Sequence, residues 1–243
     1  LNFFLKVGLL TDSNVQFNFI INSETTDVHI PERGNISVLK GHNKGYDFGA
    51  YKQSIDSVNY REFDYFIFIN DTCRGPFLPS YIPKSCTWID LFLSPLDDRV
   101  KITGPSWWNR ETDRTSLTGK VPPGERTHIQ SFCLGTDSTG IGCMLGDDVF
   151  SPPILDRSMG RKWNIVAQQE IGASQSIIKR GFKAQPFQLS HMTNAQHCDI
   201  HKKNRYFGMT PHPLEMMFIK TNRINDEVIK LYTKWMLTQP DTG

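Results

Sequence analysis

The sequence predicts an α/β domain with a mainly parallel central sheet flanked by helices. Three observations carry this. Residues 15–69 read strand, loop, strand, helix, strand, the order of a βαβ-type unit. Within them, Tyr65-Phe-Ile-Phe-Ile69 is an unbroken run of β-formers with no alternation, as expected of a strand covered on both faces in a parallel sheet. That run stops abruptly at Asn70-Asp71-Thr72. Polar residues at the carboxyl end of a buried parallel strand are where open α/β sheets bind ligands.

The totals narrow the class. A chain of 243 residues fits one large domain, the reading adopted for residues 1–243, and a chain this long buries roughly 70–75% of its unfolded surface. With 27 basic and 25 acidic residues the net charge is +2, which gives no broad attraction to nucleic acid or to a membrane surface. No apolar run approaches the ~20 residues needed to cross a bilayer, so no membrane contact is expected within this segment. The five cysteines are spread out without a C-x-x-C pair, and an odd count implies no disulfide framework. The chain starts with Leu rather than Met and is read as part of a longer one. An upstream membrane anchor is compatible with that, and a Golgi or ER lumen and the cytoplasm both stay open.

Each element has its own signal. Leu1 to Leu10 is apolar with one Lys, the pattern of a packed helix. Val15 to Asn22 alternates and then turns apolar, a first strand; Ile36-Ser-Val-Leu39 is a second. Phe48, Tyr51, Ile55 and Val58 fall on one helical face, with Asp47 at the expected N-cap. Trp88 to Leu93 reads as a short helix or buried segment, and a strand follows the Asp97-Asp98 turn. The polar residues 107–126 form either an active-site flap or an insertion. Ile129 to Leu134 alternates as a strand. Val166 to Arg180 is a helix that stops at Gly181, and Phe182 to Leu189 is an edge strand weakened by Pro186. Leu214 to Lys220 suits a strand or a short helix. Val228, Ile229, Leu231, Tyr232, Trp235 and Met236 mark one face of a terminal helix.

Chemistry concentrates between Asn43 and Phe77. Asn43 to Gly49 is a glycine-broken polar loop entering a helix, able to hold a nucleotide through backbone N–H groups. Its Gly41, Gly45, Gly49 spacing is not the G-x-G-x-x-G dinucleotide fingerprint. Asp71 can ligate a divalent cation that neutralises phosphate, or simply cap a turn.

The paired blocks Asn43-x-Gly-Tyr-Asp-Phe-Gly-Ala-Tyr51 and Tyr65-Phe-Ile-Phe-Ile-Asn-Asp-Thr72, with Arg74-Gly-Pro-Phe-Leu-Pro79, resemble nucleotide-sugar glycosyltransferases of the GT-A fold. The likeness extends to rhamnan-synthesis-type transferases and capsid glycosyltransferases of large algal viruses. Later blocks fit the same pattern: His128-x-Gln-Ser-Phe132, Glu170-x-Gly-x-Ser174 and His212-Pro-Leu-Glu-Met-Met-Phe-Ile-Lys220.

The resemblance implies a Rossmann-like GT-A domain that moves a hexose or deoxyhexose from a nucleoside-diphosphate sugar to a glycan or glycoprotein hydroxyl. It places Asn43, Gly45 and Asp47 at the donor nucleotide, with Asn70 beside them, and gives Arg74 a forked contact to phosphate. The family carries manganese or magnesium on an Asp-x-Asp motif, whereas this chain has Asn70-Asp71-Thr72 with one carboxylate. Either Asp71 ligates with water and phosphate oxygens, with His212 as a late ligand, or a positive side chain stands in for the ion. Glu170 matches the helix-start carboxylate that acts as base, with Asp147 and Asp148 in reserve. The alternative function is a degenerate module of the same fold that binds sugar or nucleotide without turnover; a nucleotidyltransferase would need a basic triphosphate loop, which this sequence does not show.

Three further features have two readings each. Trp107 and Trp108 suit either an acceptor sugar platform or partial burial, and His191, His197, Cys198 and His201 fit a polar loop better than any zinc spacing. Asn35-Ile-Ser and Asn70-Asp-Thr match glycosylation sequons, the second inside the candidate site.

Overall fold

A computed structural model describes residues 1–11, 14–41, 44–108, 121, 126–152, 161–187, 210–222, 224 and 227–238. Helix α1 (Asn2–Val7) leads to β1 (Phe17–Ile21) and β2 (Ile36–Lys40), then α2 (Tyr46–Asp56), a 3₁₀ turn (Tyr60–Glu62) and β3 (Tyr65–Ile69). The expected order of the first third is therefore present. Next come β4 (Cys73–Arg74), α3 (Trp88–Leu93), β5 (Val100–Gly104), β6 (Trp107–Trp108), β7 (His128–Ile129) and β8 (Cys133–Asp137). Helix α4 (Ser138–Gly146) precedes α5 (Arg161–Ile165), which runs through a π-helical stretch (Val166–Ile171) into α6 (Gly172–Ile178). Strand β9 (Lys183–Pro186), α7 (Pro213–Met216), β10 (Ile219–Lys220) and α8 (Glu227–Thr238) complete the described elements.

The molecule is mixed α/β, but its sheets are small and mixed in direction. The largest has the order β3-β8-β5-β9, in which β8 runs antiparallel to both neighbours and only β5 and β9 are parallel. Strands β1 and β2 form a separate parallel pair, while β4–β10 and β6–β7 are antiparallel ribbons. The expectation of a mainly parallel central sheet is thus corrected. Its physical basis was half right. Phe66 and Phe68 pack into one apolar cluster and Ile67 and Ile69 into another, so β3 does have covered faces. Its partner nevertheless runs antiparallel, and Tyr65, at its start, is 53% exposed.

Three clusters position the elements. Phe48, Tyr51 and Ile55 of α2, Ile141 and Met144 of α4 and Ile177 of α6 close over one face of the largest sheet. Trp88 and Phe92 of α3, with Phe17, Phe132 and Phe218, fill the other side. A smaller cluster joins Phe3, Phe77, Met216, Ile219 and Ile229, seating α1 and α8 against the β4–β10 ribbon. Strand β9 lies at the sheet edge, the position where Pro186, lacking an N–H, is tolerated. Helix α4 was not legible because of Gly140, Gly142 and Gly146; yet a Cβ on Gly140 would stand 2.0 Å from Thr136 Oγ1, so close packing demands a glycine there.

Candidate active site

Helix α2 sets the first wall. Gly45 is its N-cap, in the left-handed region at φ 82°, and Asp47 falls inside the first turn rather than at the cap. The carboxylate is therefore not used on backbone N–H groups. It accepts a hydrogen bond from Asn70 Nδ2 at 2.8 Å, which joins the glycine loop to the end of β3. Asn70 is itself held, since its Oδ1 accepts from Thr72 N at 3.0 Å and Thr72 Oγ1 at 2.6 Å.

The second wall is the turn between β7 and β8. Residues 129–134, expected as one strand, are split: β7 ends at Ile129, β8 begins at Cys133, and Gln130-Ser131-Phe132 crosses between them. Tyr51 Oη donates to the Ser131 carbonyl at 2.9 Å, pinning that turn to α2. Ser131 Oγ lies 3.4 Å from Asp47 Oδ2 and 3.4 Å from Glu170 Oε1. One hydroxyl hydrogen serves one carboxylate at a time, so the two acids compete for it.

Glu170 comes from the π-helical stretch, in the middle of a continuous helix and not at a helix start as expected. Dipole complementation at a helix N-terminus therefore does not account for it. Single π turns inside α-helices often accompany functional sites because they re-aim one side chain. Glu170 Oε1 also meets Ser131 N at 3.5 Å and His128 Nε2 at 3.9 Å.

Burial is the chief influence on Asp47 and pushes its carboxyl above the usual range; the Asn70 bond opposes this, Glu170's charge adds to it, and Lys220 and Ser131 counter it. Lys220, on β10, thus acts on this cluster as a cation, with its Nζ 5.4 Å from the Phe132 ring centre. Beneath the cluster, burial drives the Cys73 thiol up to about 12 and Tyr51 well above the ordinary phenol range.

Asp47, Asn70 and Glu170 therefore come together, and Gly45 shapes the approach. Asn43 lies outside the described residues, as do His191, His197, Cys198 and His201. Arg74 Nη1 donates to Thr233 Oγ1 of α8 at 3.2 Å. Asp71 is exposed at the strand end. His212 caps α7, its Nδ1 accepting from Leu214 N at 3.3 Å, and its ring packs edge-on against Tyr232. Among the described residues no three His, Cys, Asp or Glu side chains gather as a metal-ligand set. The Asn70–Thr72 turn offers a divalent ion one carboxylate.

The reserve acids are placed elsewhere. Asp147 forms a two-bonded pair with Arg180, 2.7 Å in each contact, which holds its carboxyl below the usual range. Asp148 accepts from Ser151 Oγ at 3.4 Å. Trp107 and Trp108 sit half-buried in the β6–β7 ribbon, and Trp107 packs on the main core. The Nδ2 of Asn70, the atom a glycan on that sequon would occupy, is the one that donates to Asp47. Sequence reasoning assigned no role to Ser131 or Lys220.

No family model, curated protein or solved structure matches this chain at a significant level.

Proposed function

We propose that this protein is a nucleotide-sugar-dependent glycosyltransferase of GT-A type, acting on a glycan or glycoprotein hydroxyl. One observation carries the reading. Residues from separate resemblance-bearing blocks, Asp47, Asn70, Ser131 and Glu170, meet in one chain of contacts although they lie far apart in the sequence.

Their chemistry suits the task. An ionised Asp47 accepts hydrogen bonds from the hydroxyls of a ribose or sugar, and Asn70 fixes its orientation. Lys220 supplies the positive charge that a departing diphosphate requires, the role for which the sequence offered a cationic substitute for the ion. Glu170, 17% exposed at its side chain, can reach an acceptor hydroxyl while its Oε1 is held from behind. As the hydroxyl oxygen bonds to the anomeric carbon, its proton passes to Glu170, and the nucleoside diphosphate leaves with the electrons of the broken C–O bond.

The test is a panel of nucleoside-diphosphate sugars, with and without Mn²⁺, assayed for release of nucleoside diphosphate. Glu170→Gln should bind donor as the parent does and turn over ~10²–10⁴-fold more slowly. Asp147→Asn should transfer at the parental rate. Unchanged turnover in Glu170→Gln would remove it as base, and donor binding without release under any condition would leave a binding module. The Mn²⁺ arm, repeated on Asp71→Ala, reports whether that carboxylate serves an ion.

A further inference from the structure

His128 is fully buried on β7, yet its ring is directed by two specific contacts. Nδ1 lies 2.8 Å from the Arg126 carbonyl oxygen, an acceptor only. The ring proton of neutral His128 therefore sits on Nδ1, and Nε2 presents its lone pair toward Glu170 Oε1 at 3.9 Å.

The scaffold around this pair is cross-braced. Arg126 Nε donates to the Val121 carbonyl at 2.8 Å, fixing the residue whose carbonyl orients the imidazole. Ile129 N donates to Ser174 Oγ at 2.9 Å, and Gln175 Nε2 to the Thr127 carbonyl at 3.3 Å. Strand β7 is thus tied on both sides of His128 to the helix that carries Glu170. The imidazole lone pair and the Glu170 carboxylate face each other beside the core, an arrangement that a proton between them stabilises.

We propose that His128 and Glu170 hold one proton as a unit, His128 serving as the positioning residue through which Glu170 acts as base. The inference rests on the glycosyl-transfer reading. The acceptor O–H bond breaks as the new O–C bond forms, the proton goes to Glu170, and Nε2 of His128 shares or takes it. The leaving diphosphate departs with its bonding electrons. A contraction of about 1 Å brings the pair into hydrogen-bond range, and such contacts commonly tighten when substrate binds. Ionisable side chains on the surrounding elements include Asp47 and Tyr51 on α2, Cys73 on β4, Lys101 on β5, Arg126 before β7, Lys183 on β9 and Lys220 on β10.

The active form is the pair without its proton, so transfer rises with pH through a midpoint that belongs to both groups. Imidazole ¹⁵N spectra of the whole protein, with His128 assigned by the signal lost in His128→Gln, test this without any donor. The His128 midpoint should fall by at least about one pH unit in Glu170→Gln, the size of shift an adjacent carboxylate produces. In transfer assays, His128→Gln should lose about tenfold in rate, and the acid limb of its pH profile should shift to lower pH. A His128 midpoint that stays put in Glu170→Gln overturns the proposal. So does a folded His128→Gln that slows transfer while the acid limb stays where it was, the result of a merely structural role. Failure of every donor would sink the transferase reading alone, because the spectra still judge the pair.

Discussion

Asp47 ionises only against the cost of its burial, and the hydrogen bond from Asn70 offsets part of that cost. Its raised carboxyl fixes the sign of a stability effect. The folded protein takes up this proton at a higher pH than the unfolded chain, so Asp47's contribution to stability falls as pH rises from the unfolded carboxylate value through the folded one. Asn at this position offers the same acceptor to Asn70 without the charge. Asp47→Asn should therefore melt at the parental temperature or above it at pH 7, and the advantage should vanish as the pH falls toward 4. Thermal melts across that range check it; a mutant less stable at pH 7 than at pH 4, relative to parent, would contradict the assignment. Cys73 shows the opposite use of burial: with its thiol pushed to about 12 it stays protonated and is a packing group, not a nucleophile.

At the level of elements, the glycines of the first loop are structural before they are functional. Gly45 sits at positive φ, and a Cβ on Gly49 would stand 1.8 Å from the Lys44 carbonyl oxygen. Gly49→Ala must push the loop off the helix, at a cost of ~1–3 kcal/mol, typical of forced overpacking. Urea unfolding measures it, and a change under 0.5 kcal/mol would mean the loop yields freely. Helix α2 was legible because Phe48, Tyr51 and Ile55 repeat at helical spacing and all three are buried. Its start was misplaced by two residues because Asp47 looked like a cap, whereas Gly45 makes the left-handed entry without one. Glu170 was legible as an acid in a helix, but no residue pattern announces a π turn. Ser131 was hidden by alternation: Ile129 to Leu134 alternates as a strand would, yet the chain turns there to bring the hydroxyl between two carboxylates.

Across the whole molecule, apolar runs encode coverage and not direction. The β3 run is apolar because two clusters cover it, and that says nothing about whether its neighbour runs parallel. Helix α8 teaches the same lesson. Six apolar residues were assigned to one buried face, but the structure divides them. Ile229 is fully buried against Phe3, Phe77 and Ile219, with Tyr232 and Met236 packed beside it. Val228, Leu231 and Trp235 are exposed, Leu231 at 66%. Only the inner stripe can hold α8 on the β4–β10 ribbon, the ribbon that presents Lys220 to Asp47. Ile229→Ala should then cost about 2–5 kcal/mol, the usual range for emptying a buried aliphatic site. Leu231→Ala, only two positions away, should stay within about 0.5 kcal/mol. Paired urea titrations with a common unfolding slope decide between the two arrangements. Equal losses would mean that α8 buries the whole six-residue face, and a small loss at Ile229 would mean that the ribbon holds its place without the helix.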